Sequence, residues 1–192
     1  MQCDQLVALA EEKGALAWKA LGKLHQGCLW ALTGHASDAV QAITPAMATL
    51  RSSGAMAMMP WYLSCLARAH AELGQFDDAW RCSDEAMAIT ETTKERQCEA
   101  EIYRMAGEIA LMSPQSDAAK AEAHFGHALA IARKQQAKSW ELRAAMSMAR
   151  LWRDQGRPEE ARDLFAPVYG WFTNGFDTRD LKQAKAFLVA PV

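Results

Sequence analysis

Apolar residues recur at helical spacing along most of this sequence, in which alanine is abundant and runs of β-branched residues are absent. After Gly156, for example, one face of a predicted helix carries Ala161, Leu164, Phe165, Val168, Tyr169 and Phe172. Glycine or proline interrupts the pattern at Gly14, Gly34, Gly54, Gly74, Ser113-Pro114 and Gly156. The pattern therefore predicts helix nearly throughout, with short turns at these positions and no strand.

Small residues mark a period of about 40 residues. In the first helix of each predicted pair they are Gly27, Ala67, Gly107 and Ala149, spaced by 40, 40 and 42 residues. In the second helix they are Ala39, Ala79, Ala121 and Ala161, spaced by 40, 42 and 40 residues. Two antiparallel helices joined by a short turn approach closely, and a branched side chain at their crossing would hold them apart. Both spacings therefore predict a stack of helix pairs.

These small residues resemble the tetratricopeptide signature. The resemblance is carried by Gly74-Gln75-Phe76 before a second helix and by the alanine pairs Ala79/Ala86 and Ala121/Ala128, and it covers about residues 15–172. The period exceeds the standard repeat of about 34 residues, and is similar to the long-repeat variety in large bacterial signalling ATPases and transcription regulators. The resemblance implies an all-α, right-handed superhelical solenoid of about four antiparallel helix pairs.

The expected organisation is a single domain over residues 1–192. It begins with a half-repeat, and it ends with a capping helix that would cover the apolar edge of the final repeat, as is expected of solenoids. The half-repeat at residues 1–13 resembles a second helix without its first, so the chain is interpreted as a fragment of a larger protein. The predicted segments are 1–13, repeats at 15–53, 56–93, 96–136 and 139–172, and the capping helix at 177–189.

A second resemblance concerns the C-terminal part of the chain. Residues 138–145, 151–156 and 168–178 are similar to the C-terminal end of bacterial signalling proteins. Those proteins join an adenylate/guanylate cyclase-like domain or an AAA-type ATPase to a helical repeat region, and this sequence contains neither catalytic domain. The resemblance implies a regulatory module that senses a small effector.

Composition limits the partners. With 21 Lys+Arg against 23 Asp+Glu the formal charge is -2, so no global field favours nucleic acid or an anionic membrane. The sequence shows neither a signal peptide nor an uninterrupted run of 18 apolar residues, which predicts a cytoplasmic location. The five cysteines are odd in number and widely spaced, so they are interpreted as reduced packing residues.

Local signatures of catalysis are absent from the sequence. There is no phosphate-binding loop, GxGxxG, HExxH or GxSxG motif, so no enzymatic activity and no cofactor are expected. His124 and His127, three residues apart on one predicted helix, are the one close histidine pair. Because no third ligand is evident, they are interpreted as ordinary histidines rather than as a metal site.

The concave groove of a helical solenoid is the expected binding surface. In the repeat register it carries Trp61, Arg68, Arg104, Arg143, Met146, Arg150 and Arg153. The arginines are suited to carboxylates or phosphates, and Trp61 to an apolar anchor. The alternative is that the arginines form a solvated face, or that they pair internally with Glu141 and Asp154.

The predicted function is that of a non-catalytic scaffold. It is expected to bind a peptide, a partner domain or a second copy of itself, through the groove or through an edge. The half-repeat leaves apolar surface that a second chain would cover, which predicts a homo-oligomer. The alternative is the small-effector sensor that the second resemblance implies.

Overall fold

The computed structural model describes residues 2–54 and 56–189, which form ten α-helices and no strand. The all-α prediction is therefore confirmed. The helices are α1 Gln2–Glu12, α2 Leu16–Leu32, α3 Ala36–Ser52, α4 Met59–Glu72, α5 Phe76–Thr93, α6 Glu99–Met112, α7 Ala118–Lys134, α8 Lys138–Asp154, α9 Pro158–Gly170 and α10 Arg179–Val189. Within the described ranges, no helix is both long and apolar enough to cross a membrane.

The helices form two compact units. The first contains α1 to α5, and the second contains α7 to α10 with nearly all of α6. Consecutive helices pack as pairs inside the units, among them α2 with α3, α4 with α5 and α8 with α9. The repeat boundaries and the single-domain organisation stay predictions.

The turn inside three helix pairs is built in the same way. Gly34, Gly74 and Gly156 each adopt a left-handed conformation, with φ of +84°, +75° and +77°. The backbone N–H of the next residue donates to a carbonyl five residues back, so His35 bonds Trp30 at 3.0 Å and Arg157 bonds Trp152 at 2.8 Å. This geometry satisfies a helix-end carbonyl and favours glycine, which explains the recurring glycines of the sequence.

The small residues lie where helices touch. In the first unit, a Cβ placed on Gly27 of α2 would lie 2.5 Å from Cγ1 of Ile43 on α3. In the second unit, a Cβ on Gly107 of α6 would lie 2.6 Å from Cδ1 of Phe125 on α7, and closer still to Cε1. Ile43 and Phe125 are both fully buried. In each unit, therefore, a glycine on one helix leaves room for a large buried side chain of the facing helix.

Candidate interaction surfaces

The residues predicted to line one groove divide between the two units. Trp61 and Arg68 lie on α4 of the first unit. The second unit contains Arg104 on α6 and Met146 on α8, together with Arg143, Arg150 and Arg153 of α8.

Arg104 takes part in a buried ion network. Glu101 is 1% exposed and Arg104 is 8% exposed. The guanidinium donates from Nε and Nη2 to the two Glu101 oxygens, each at 2.9 Å, and from Nη1 to Glu108 at 2.9 Å and to Ser147 of α8 at 3.2 Å. Burial opposes the charge, but Glu101 outweighs burial and the pKa of Arg104 is raised. Arg104 is therefore engaged in contacts within the chain that join α6 to α8.

Two arginines of α8 are held by α10. Arg143 donates from Nε to Asp180 at 2.6 Å and from Nη1 to Glu101 at 3.4 Å. The Arg153 guanidinium lies 4.7 Å from the centre of the Phe187 ring. Both arginines of this face therefore already have a carboxylate or an aromatic partner from the same chain.

The predicted internal pairing of the arginines is present only in part. Arg153 lies 3.7 Å from Asp154, whereas Glu141 pairs with Arg133 and Lys138 instead. Arg150 forms no ion pair with any residue that the structure describes, and its Nη2 lies 3.5 Å from the Met146 sulfur. Met146 itself is buried. Arg150 is therefore the arginine of α8 that lacks a carboxylate.

Trp61 and Arg68 are the two predicted groove residues that lie in the first unit. Arg68 donates to Glu72, one turn further along α4, at 3.0 Å. Trp61 is half-buried and lines a recess of about 10 Å³ with neighbours that include Met58, Glu95 and Cys98. A recess of this volume admits about one water molecule.

Sequence reasoning missed an open groove of about 520 Å³ between α2 and α3. Small and apolar side chains alternate with charged ones along it, and Leu16, at 71% exposed, stands at one end. The lining residues are Leu16, Lys19, Ala20, Lys23, Trp30, Asp38, Gln41, Ala42, Pro45, Ala46 and Thr49. The available signal was Gln41, Pro45 and Thr49, which repeat every four residues on α3 and would have indicated a second face.

A cleft of about 530 Å³ lies in the second unit at the turn between α7 and α8. It is lined by Arg133, Gln136, Lys138 and Trp171. Glu141 accepts from Lys138 at 2.7 Å and from Arg133 at 3.1 Å. Burial alone would raise the pKa of Glu141, but these hydrogen bonds hold its pKa below the ordinary value. Two cations and one carboxylate leave the cleft with a net positive charge.

The histidines and cysteines form no metal-binding group among the residues that the structure describes. The ring of Tyr103 lies 6.2 Å from that of His124 and 4.3 Å from that of His127. All five cysteines are free thiols. Burial raises the pKa of Cys82, which favours the unreactive protonated form.

Comparison with known families identifies one repeat. The tetratricopeptide repeat family matches residues 61–93, which cover most of α4 and all of α5. No curated protein matches the chain. The fold and this match define an all-α protein with a tetratricopeptide-like repeat region. Such repeats generally mediate protein–protein interaction and are generally not enzymes, while the similarity to cyclase-linked or ATPase-linked proteins stays a prediction.

Proposed function

We propose that this chain is a non-catalytic interaction module that binds a peptide, a partner domain or a second copy of itself. The observation that carries the proposal is the groove between α2 and α3, where apolar surface is open to solvent. Exposed apolar patches flanked by charges are typical of protein-binding sites. The tetratricopeptide-like repeat beside the groove supports the same function.

The groove suits a helical segment of the partner. From Leu16 to Trp30 it extends for fourteen residues of α2, or about 21 Å, which is the length of four helical turns. Ala20, Ala42 and Ala46 form a floor without large side chains, so a bound helix can approach closely. Lys23 at the rim favours a partner that carries an acidic residue beside its apolar face.

Replacing Leu16 with glutamate is expected to weaken peptide binding at least tenfold, because it removes an apolar contact from the end of the groove. Helical peptides selected from a displayed library on the wild-type chain would serve as probes, with affinities measured by fluorescence anisotropy. Leu29→Glu is the matched control, since Leu29 is 57% exposed on the same helix but does not line the groove. It should change affinity less than twofold.

Two results would count against this site. Equal weakening by both substitutions would mean that overall charge, and not the groove, determines binding. If the library yielded no binder for the folded chain, peptide binding would be excluded as the function. Sedimentation of the wild-type chain across micromolar concentrations tests the remaining partner, because strictly monomeric behaviour excludes a second copy.

The cleft of the second unit favours a second candidate function, the sensing of a small effector. Trp171 is 57% exposed, and the Lys138 ammonium lies 5.5 Å from the centre of its ring. An exposed indole beside Arg133 and Lys138 suits a flat ring that carries a phosphate or carboxylate. The effector of this alternative would therefore be a small aromatic anion.

Trp171→Ala is expected to weaken the binding of phenyl phosphate about tenfold and to leave the weaker binding of inorganic phosphate unchanged, because the substitution removes only the stacking partner. Isothermal titration measures both ligands. Trp18→Ala is the control, as Trp18 is 58% exposed and belongs to the other unit. Identical phenyl phosphate affinities for the wild-type and Trp171→Ala chains would exclude this cleft as the effector site.

A further inference from the structure

We propose that the face of α8 carrying Arg143, Arg150 and Arg153 is a docking surface for an acidic amphipathic helix, and that α10 occupies it as an internal ligand. A partner helix with the same pattern would displace α10. This inference rests on the proposed interaction function and names a second surface and the chemistry of its partner.

The acidic contact of α10 is well formed. Asp180 accepts from Arg143 Nε at 2.6 Å, and both side chains are about one-third exposed. A charge-assisted hydrogen bond in a half-buried place is stronger than one in open solvent. Arg143 also stacks on Trp140, with the guanidinium 5.1 Å from the ring centre, which limits its orientations. The arginine is therefore held in position to receive a carboxylate.

The aromatic contact lies two turns further along α10. Phe187 packs edge-on against Phe165 of α9 at 5.4 Å, and the Arg153 guanidinium lies over its ring. Asp180 and Phe187 are seven residues apart, so they share one helical face, with the buried Leu181 and Ala184 beside it. The internal ligand thus consists of an acid and, seven residues later, an aromatic residue.

The attachment of α10 is weak enough for exchange. Leu181 and Ala184 are its buried residues, whereas α8 buries nine. Lys182 and Lys185 face solvent. An isolated helix needs about 12–15 residues to be even marginally stable in water. With 11 residues, α10 is shorter than that. Its release would therefore cost much less than unfolding the unit.

Arg150 is the residue of this face that would let a partner helix bind more tightly than α10. It lies between Arg143 and Arg153 on α8, and no carboxylate of the described residues pairs with it. Gln183 is a half-buried residue of α10 that lies between Asp180 and Phe187 along the helix. A partner helix with an acidic residue at this middle position would form an ion pair that α10 does not make.

The test uses the full chain and two labelled peptides that span residues 177–189, one with the native sequence and one carrying Gln183→Glu. We expect the Gln183→Glu peptide to bind about tenfold more tightly than the native peptide. Arg150→Gln in the chain should abolish this difference, and Asp180→Asn in the peptide should abolish binding. Hydrogen exchange of the wild-type chain should become faster in α10 when the peptide is added.

Competition by α10 provides the control. Asp180→Asn in the chain loosens the internal ligand and should tighten peptide binding about tenfold, because a tethered competitor acts at high effective concentration. Asp177→Asn removes a carboxylate just before α10 and should change nothing. No peptide binding up to about 1 mM to any folded variant, or binding without faster exchange in α10, would overturn the inference. The effect of Leu16→Glu on peptide binding at the α2–α3 groove tests the proposed function, and its result does not depend on this outcome.

Discussion

Replacement of Arg104 by methionine is expected to lower the free energy of unfolding of the second unit by about 3–5 kcal/mol. Glu101, which is 1% exposed, would lose the guanidinium that occupies both of its carboxylate oxygens. Its remaining cationic contact is Arg143 at 3.4 Å. A carboxylate left without compensation in the interior is far more costly than the loss of an ion pair at the surface.

The double variant Glu101→Met/Arg104→Met separates the two causes. With both charges removed, apolar side chains of similar volume fill the site, and stability should return to near or above that of the wild type. Urea denaturation followed by far-UV circular dichroism measures the wild type, the two single variants Glu101→Met and Arg104→Met, and the double variant. If the double variant were as unstable as the sum of the two single variants, the penalty would not come from an orphaned charge.

The contacts that hold each pair of helices together could be predicted from sequence because they are encoded locally. Gly27 and Gly107 are small where Ile43 and Phe125 are large, and each pair lies within a few turns of one hairpin. The glycine turns at Gly34 are equally local, because one left-handed residue closes the helix. The repeat period and the packing of the two helices in each pair therefore follow from the same short-range sequence pattern.

The environment of the arginines could not be predicted in this way. Arg104 was expected to line a groove, but its burial depends on Glu101 one turn away and on Ser147, which is 43 residues distant. The position of Asp180 against Arg143 depends on how α10 folds back on α8. The α2–α3 groove depends on which faces remain uncovered. These features depend on tertiary contacts, and the four-residue spacing of Gln41, Pro45 and Thr49 indicates a second face of α3 without showing that it stays uncovered.

Arg143 connects the internal ligand to the buried network. It donates from Nε to Asp180 of α10 and from Nη1 to Glu101, which is the main partner of Arg104. A partner carboxylate that replaces Asp180 would keep the charge on Arg143 compensated. Release of α10 without replacement would leave Arg143 with Glu101 as its one carboxylate partner among the described residues. Exchange of one acidic helix for another therefore disturbs the core less than simple opening.

Gly107 and Gly126, both in helices of the second unit, should respond to alanine with opposite signs. Gly107→Ala is expected to lower the free energy of unfolding by about 1–3 kcal/mol, because its Cβ would meet the fully buried ring of Phe125. A Cβ on Gly126 would meet only Met148 Cε, at 3.8 Å. Gly126→Ala should therefore stabilise the unit by about 0.5–1 kcal/mol through helix propensity alone.

Urea denaturation also measures these two alanine variants, and a second background, Phe125→Leu, identifies the group that the added Cβ meets. In a Phe125→Leu chain the side chain that faces Gly107 is smaller, so Gly107→Ala should cost less there than in the wild type. The difference between the two costs is the interaction energy of the Cβ with the ring. An equal cost in both backgrounds would mean that the glycine is needed for its backbone and not for the close approach of α6 and α7.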